Sequence, residues 1–355
     1  MSDAETMRAL VLHGVGDARV ERIPRKTPRA GEVLVRVGCC GVCGSDIPRM
    51  FVRGTYRFPT VCGHEFAGTV AACGEGVTGV TAGERVTVFP LLWCGHCAAC
   101  EQGHYARCIA YDYLGSRSDG AFAEYVVAPR RNILPLPPNV SLEEGAMTEP
   151  AAVALHALRQ AGGCSAGELV VVFGAGPIGL IVAQWARWRS SAAKVALFDV
   201  APEALALARK LGFELAFNSR DCEPLETVRK LSGGRGADVC VEAAGVPATL
   251  TAALGAAGNG GRVAVLGNPS ADVTLQAPLL SQVMRREVKV FGTWNSSYSA
   301  AGNNDDWHAV LAALSSGAIQ LKPLITHRLR LEQALDGLKM MRDRTQFVCK
   351  ILIQP

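Results

Sequence analysis

Few residues in this chain are charged or aromatic: charged side chains make up 19% of its 355 residues and aromatic ones 6%. The 36 basic and 32 acidic residues are scattered, with no basic stripe interleaved with aromatics, so the electrostatic footprint of a nucleic-acid binder is missing. Long apolar runs are missing too. Gly, Pro or a charge cuts every hydrophobic stretch before it reaches the roughly 18–20 residues a membrane helix needs. The stretch Met1–Leu12 carries Asp3, Glu5 and Arg8 and lacks the basic, apolar and small-residue order of a secretion signal. A soluble, cytoplasmic protein with no nucleic-acid or membrane partner is therefore expected. Its 13 cysteines are odd in number and four crowd between Cys94 and Cys108, which without a secretion signal reads as reduced thiols and a metal before disulfides.

A chain of this length exceeds one hydrophobic core and predicts two domains. Its first part is β-rich, with apolar runs at Arg8–Leu12, Val33–Val37, Phe66–Ala72, Glu84–Phe89 and Phe122–Val127 between Gly- and Pro-bearing turns, the texture of a partly open barrel. From about Ala151 short apolar runs (Leu169–Phe173, Val195–Phe198, Val239–Glu242, Val263–Leu266) alternate with helical patterns, which predicts a doubly wound parallel sheet. One helix starts at Pro202 and stops at Gly212. A strand at Val288–Trp294, a polar stretch Asn295–Asp306, helices near Trp307–Ser316 and Leu331–Met341, and a last strand Phe347–Ile353 follow, the tail returning to the first domain. No repeat of fixed period and no low-complexity segment is present.

Directly after the Leu169–Phe173 run comes Gly174-Ala175-Gly176-Pro177-Ile178-Gly179, then an apolar helix Leu180–Trp188. Glycines are needed there because the chain turns tightly, its backbone approaches a pyrophosphate and the helix packs close to the strand, while the helix N-terminus offers N–H groups to the anion. Such a motif alone is weak evidence. Asp199, at the end of the next strand and about 20 residues on, completes the unit, since its carboxylate can accept from ribose hydroxyls. That carboxylate would repel a 2′-phosphate and no arginine follows it closely, so NAD is favoured over NADP.

Cys94, Cys97, Cys100 and Cys108 form C-x2-C-x2-C-x7-C. Four thiolates satisfy tetrahedral zinc and leave no position for water, so a structural site is expected. Cys43, His64 and Glu149 offer one thiolate, one imidazole and one carboxylate, which would leave zinc an open position, as catalysis requires. Each has an ordinary alternative as a core thiol, a hydrogen-bonded histidine or a helix-capping acid, and spacing alone does not bring them together.

Taken together, C-G-x-C-G-S-D at Cys40–Asp46, G-H-E-x-x-G at Gly63–Gly68 with Gly74 and Val77, the four-cysteine loop and the glycine turn resemble the zinc-containing medium-chain dehydrogenases, which include alcohol, sorbitol and threonine dehydrogenases. The likeness spans nearly the whole chain. It is most detailed toward polyol-phosphate members, through Cys43–Phe51, Phe89–Leu92, Gly115–Tyr125 and Thr148–Pro150. The resemblance implies an α/β protein with a GroES-like partly open β-barrel catalytic domain at 1–152 and 293–355 and an inserted Rossmann NAD-binding domain at 153–292. It implies two zinc ions per subunit, one catalytic and one structural, with Cys43, His64 and Glu149 on the catalytic ion. Glu65 would either hydrogen-bond behind the ligands or exchange with them, and Glu149 is preferred.

The expected chemistry is transfer of hydride from a secondary hydroxyl of a polyol or polyol phosphate to NAD, zinc acidifying the hydroxyl as it acidifies water. Ser45 would accept the substrate proton and Asp46 would orient His64. Where the family's relay continues to a histidine this chain has Pro48, so a carboxylate such as Glu65 or Glu149 with a water is the expected exit. Arg49, Arg53 and Arg57 could hold a substrate phosphate, although no helix is predicted to align them. The alternatives are an unphosphorylated polyol or other secondary alcohol, and a non-catalytic nucleotide-binding regulator. A homodimer or homotetramer paired through Val288–Trp294 is expected.

Overall fold

A computed structural model describes residues 5–189, 192, 194–300, 302 and 304–355. The expectations touching Met1–Ala4 and the polar positions 301 and 303 lie outside the described residues. The chain divides into two compact units: one runs up to Glu149 and adds Ser297–Ser316 and Leu324–Pro355, the other is Pro150–Ser296 with Gly317–Pro323. The sequence alone puts 317–323 with the tail. Reciprocal hydrogen bonds, Gln184 Nε2 to Gln320 O at 3.0 Å and Gln320 N to Gln184 Oε1 at 2.7 Å, join it instead to the central unit.

In the first unit β1 (Thr6–Gly14), β2 (Asp17–Pro24) and β4 (Thr60–Val61) form a three-stranded sheet. A larger sheet is built on β3 (Glu32–Gly41), paired antiparallel with β5 (Glu65–Cys73) and β9 (Tyr125–Pro129), while β6 (Arg85–Val88) and β10 (Ile133–Pro135) extend it beyond β5. β7 (Leu91–Leu92) and β8 (Asp112–Tyr113) make a separate pair. Val33, Val35 and Val37 face the core, and two register shifts in the β3–β5 ladder bend the strands toward a barrel. The tail does return: β17 (Ile325–Arg330) and β18 (Lys350–Gln354) are parallel, and β18 lies against β3 with Ile353 opposite Cys40. The segment after Ser45, expected to be irregular, is helical at Asp46–Pro48 and continues as a π-turn over Arg49–Arg53.

The second unit holds β11 (Leu169–Phe173), β12 (Lys194–Asp199), β13 (Ala216–Asn218), β14 (Ala237–Glu242), β15 (Ala257–Val265) and β16 (Lys289–Gly292), all parallel, in the order β13-β12-β11-β14-β15-β16. Every residue of β11 is buried, as expected of a strand covered on both faces. The order reverses between β11 and β14, the switch point where doubly wound sheets bind ligands. The Pro202 helix ends at Lys210, and Gly212 with φ +85° stops it. The helix after the glycine turn is α-helical over Pro177–Gln184 and a π-turn over Trp185–Arg189. β16 is an edge strand with Val290 half exposed. Among the described residues no helix is long and apolar enough to cross a membrane.

Candidate active site

The end of β3 and the start of β5 bring the first ligand set together. Asp46 is fully buried and ties the turn after β3, its Oδ2 accepting from Cys43 N at 2.9 Å and its Oδ1 from Arg49 Nη1 at 3.1 Å. Cys43 Sγ accepts from Ser45 Oγ at 3.1 Å, and Ser45 Oγ in turn accepts from Arg49 Nη1 at 2.7 Å. Across the sheet, Gly63 sits at φ +93°, where a Cβ would meet Phe122 and Cys40 within 2.9 Å, so only glycine lets His64 and Glu65 face the turn. Gly41 has a similar role, since a Cβ there would fall 2.1 Å from Glu65 Oε2. As a result the ligand atoms of Cys43, His64 and Glu65 lie within 4.8 Å of one another.

Glu149 stands beside this cluster, in the first turn of the helix Thr148–Gln160, with its Oε1 accepting from Tyr113 Oη at 3.1 Å. The Tyr113 ring meets the His64 ring edge-on at 5.7 Å. The carboxylate that shares the compact set is thus Glu65, and Glu149, favoured by sequence, is its neighbour. Asp46 Oδ1 is 3.7 Å from His64 Nδ1, too far for a hydrogen bond, so among the described residues the buried His64 Nδ1 has no hydrogen-bond partner.

Two cations bound the cluster. Arg49 is described above; the other, Lys350, was not singled out by sequence. It is 3% exposed, contacts the Glu65 carboxylate as an ion pair and donates to Val42 O at 3.0 Å. Burial works against its charge, but the charges of Glu65 and Cys43 hold its pKa above the usual lysine value. Burial also drives Glu149 up to about 8 and Cys43 up to about 11, with repulsion from neighbouring acids adding to both. One thiol, one imidazole and two carboxyls crowded together fit a divalent cation, which would relieve the repulsion that raises Cys43 and Glu149. The donors are those zinc takes in sites with an open position.

The second set, Cys94, Cys97, Cys100 and Cys108, also has its sulfurs within 4.8 Å of one another. A short helix over Ala98–Glu101 carries Cys100, and Cys94 N donates to Cys108 Sγ at 3.3 Å. N–H donation from Ile109 and Cys100 lowers the Cys97 pKa to about 6, which prepares a thiolate. Beside the loop, Trp93 stacks on Tyr105 at 4.1 Å and on the Arg131 guanidinium at 4.2 Å. A separate groove of about 480 Å3, bordered by Met7, Ile23, Lys26 and Tyr125, contains none of these ligand residues.

In the second unit the turn after β11 has the geometry its glycines suggest. Gly174 has φ +102°, a Cβ on Gly179 would lie 1.8 Å from Gly174 O, and a Cβ on Gly176 would meet nothing within 4 Å. The first and third glycines therefore serve the turn, while the second leaves backbone open to a ligand between Ala175 and the helix beginning Pro177-Ile178. Asp199 Oδ2 accepts from Ala175 N at 2.6 Å and its Oδ1 from Val200 N and Ala201 N, which fixes the carboxylate beside the turn. Glu242, not singled out by sequence, braces the β14 turn by accepting from Ala244 N, Gly245 N and Thr249 Oγ1.

Two family descriptions match this chain, "Alcohol dehydrogenase GroES-like domain" over residues 29–138 and "Zinc-binding dehydrogenase" over residues 177–316. The chain belongs to the zinc-binding medium-chain alcohol and polyol dehydrogenases, oxidoreductases that act on CH–OH groups. Among individual proteins it is 36% identical to galactitol 1-phosphate 5-dehydrogenase of Escherichia coli K12, over 91% of this chain and 92% of that one. It is 30% identical to sorbitol dehydrogenase of Bacillus subtilis, over 99% and 98%. The crystal structure of galactitol-1-phosphate dehydrogenase from Escherichia coli superposes with a TM-score of 0.91 at 35% identity, covering 98% of this chain and 100% of the other.

Proposed function

We propose that this protein oxidises a secondary hydroxyl of a polyol phosphate, with zinc held by Cys43, His64 and a carboxylate and with NAD as hydride acceptor. The observation that carries the reading is the compact Cys43–His64–Glu65 set, with His64 and Glu65 buried, and Glu149 beside it. Zinc bound there would acidify the substrate hydroxyl, and NAD would take the hydride. The four-cysteine set would hold a second, structural zinc.

The chain's own residues then have distinct tasks. Ser45 presents a hydroxyl beside the Cys43 sulfur, within reach of an alcohol bound at the same centre. Arg49, by donating to Ser45 Oγ, fixes the serine proton toward its acceptor, and by donating to Asp46 it holds the turn. Asp46 acts on Cys43 through its backbone N–H and faces His64 across 3.7 Å. Glu65 is held by Lys350 and Glu149 by Tyr113, so each carboxylate has a resting position beside the ligands. Pro48 leaves no histidine behind Ser45. Glu149, a buried carboxyl beside the ligand set that accepts from Tyr113 Oη, is suited to carry the proton outward. The fixed Asp199 carboxylate favours NAD over a cofactor with a 2′-phosphate.

A second reading, an unphosphorylated polyol as substrate, is supported by the likeness to sorbitol dehydrogenase. Turnover by zinc-replete protein on galactitol 1-phosphate beside free galactitol and sorbitol, with NAD and with NADP, decides between them. Preference for the free polyols removes the phosphate reading, and no turnover despite full zinc and bound NAD leaves a nucleotide-binding regulator. We further assign the edge strand β16 to a two-fold interface between copies, which sedimentation tests.

A further inference from the structure

Arg117, in the loop after β8, is held by aromatic rings. Its Cζ lies 4.1 Å from the Tyr56 ring centroid and 4.4 Å from that of Tyr111. Its Nε is buried and donates to no acceptor among the described residues. The acid two positions on, Asp119, is taken by Lys26 at 2.7 Å and Arg57 at 2.9 Å, and Asp112 accepts from Ser118. A guanidinium stacked on rings keeps its in-plane N–H edge for a ligand, and that edge matches the spacing of phosphate oxygens. A partly desolvated cation whose neighbouring acids are otherwise engaged is best satisfied by an external anion.

The rings also lead back to the metal ligands. Tyr111 meets Tyr113 edge-on at 6.4 Å, and Tyr113 touches both His64 and Glu149. Arg117 therefore stands at the outer end of an aromatic wall that starts at the candidate zinc centre. Of the three arginines suggested by sequence, Arg49 is spent on Ser45 and Asp46, Arg57 on Asp119 and the Arg117 carbonyl, and Arg53 is exposed. The geometry points to Arg117 as the residue that receives the terminal phosphate of the substrate, several carbons from the hydroxyl being oxidised. This assignment rests on the polyol-phosphate reading and gives it a specificity residue.

The test measures kcat/KM for galactitol 1-phosphate and for galactitol with wild-type, Arg117→Gln and Arg117→Lys enzymes, alongside zinc content and NADH binding. Arg117→Gln should lose roughly 10–100-fold on the phosphorylated substrate, mostly in KM, and change less than about 3-fold on galactitol, as expected for one lost charge-assisted contact. Inorganic phosphate should compete with galactitol 1-phosphate in the wild type and not in Arg117→Gln. Arg117→Lys, which keeps charge but not the fork, should lose several-fold on the phosphorylated substrate. An equal fall on both substrates would make Arg117 structural, and an unchanged preference in either variant would overturn the assignment alone. If the wild type itself prefers galactitol and ignores phosphate, the polyol-phosphate reading falls and the Arg117 assignment falls with it. Should Arg117→Gln fail to fold, Arg117→Lys decides, and undiminished phosphate inhibition in it counts against the assignment.

Discussion

Lys350→Met should show how the metal centre is balanced. Lys350 and Glu65 are both almost wholly buried, and methionine fills most of the lysine stem's volume while removing the charge. The loss leaves a buried carboxylate facing Cys43 and Glu149. Breaking a buried pair on one side costs about 3–5 kcal/mol. With 1 kcal/mol moving a domain of this size by about 2–4 °C, metal-free Lys350→Met should melt roughly 6–20 °C below metal-free wild type. Zinc should recover much of that gap, because Glu65 regains a cation. In the Lys350→Met/Glu65→Gln double variant the penalty should shrink to about 1–2 kcal/mol, since no unpaired charge remains. Differential scanning fluorimetry on chelated and zinc-loaded samples reads all three. A double variant as unstable as Lys350→Met would refute the argument, because the cost would then come from lost packing.

Ser45→Ala should lower kcat by about 100-fold and alter its pH dependence, as expected for a lost proton-transfer group, and an unchanged profile would remove the serine from the relay. Asp199→Asn should narrow the preference for NAD over NADP by roughly tenfold or more in kcat/KM, a change worth about 1.4 kcal/mol per decade. In chelator-treated protein Cys97, its thiol lowered to about 6, should react fastest with iodoacetamide at pH 7 and slow as pH falls through 6, because a depressed pKa keeps the thiolate above that value and loses it below. Peptide mapping shows which cysteine is labelled. Val290→Asp should shift the sedimenting species to monomer, and an unchanged species would move the interface off β16.

What could be read from sequence was local. The glycine turn and the four cysteines lie within short segments, so their spacing carries their geometry, and Leu169–Phe173 emerges as a strand with the same bounds. The candidate catalytic cluster was legible in its residue types and not in its arrangement. Whether Glu65 or Glu149 stands nearer Cys43 and His64 depends on how β5 and the Thr148 helix approach the β3 turn, which no spacing encodes. Lys350 donates to Val42 O, 308 positions away, and its one local signal is a charge inside the otherwise apolar run Phe347–Ile353. Arg49 was assigned to phosphate because the π-turn that swings it back onto Ser45 has no clear sequence mark. Arg117 was visible only as part of a shared motif, since its role depends on Tyr56 and Tyr111 from separate loops.

The position of β18 bears on how the protein is made. The central unit is almost one continuous segment and can fold once that segment has left the ribosome, as domains generally do. The first unit cannot close then, because β18 fills the place between β3 and β17 and brings Lys350 to Glu65. Until β18 is available, the Cys40–Gly41 end of β3 lacks its second neighbour and the cysteine-rich turn lacks its cation, a state open to mispairing and premature oxidation. Truncations that remove Lys350–Gln354 would therefore disturb the assembly of the candidate metal centre, although they fall far from Cys43 and His64 in the chain.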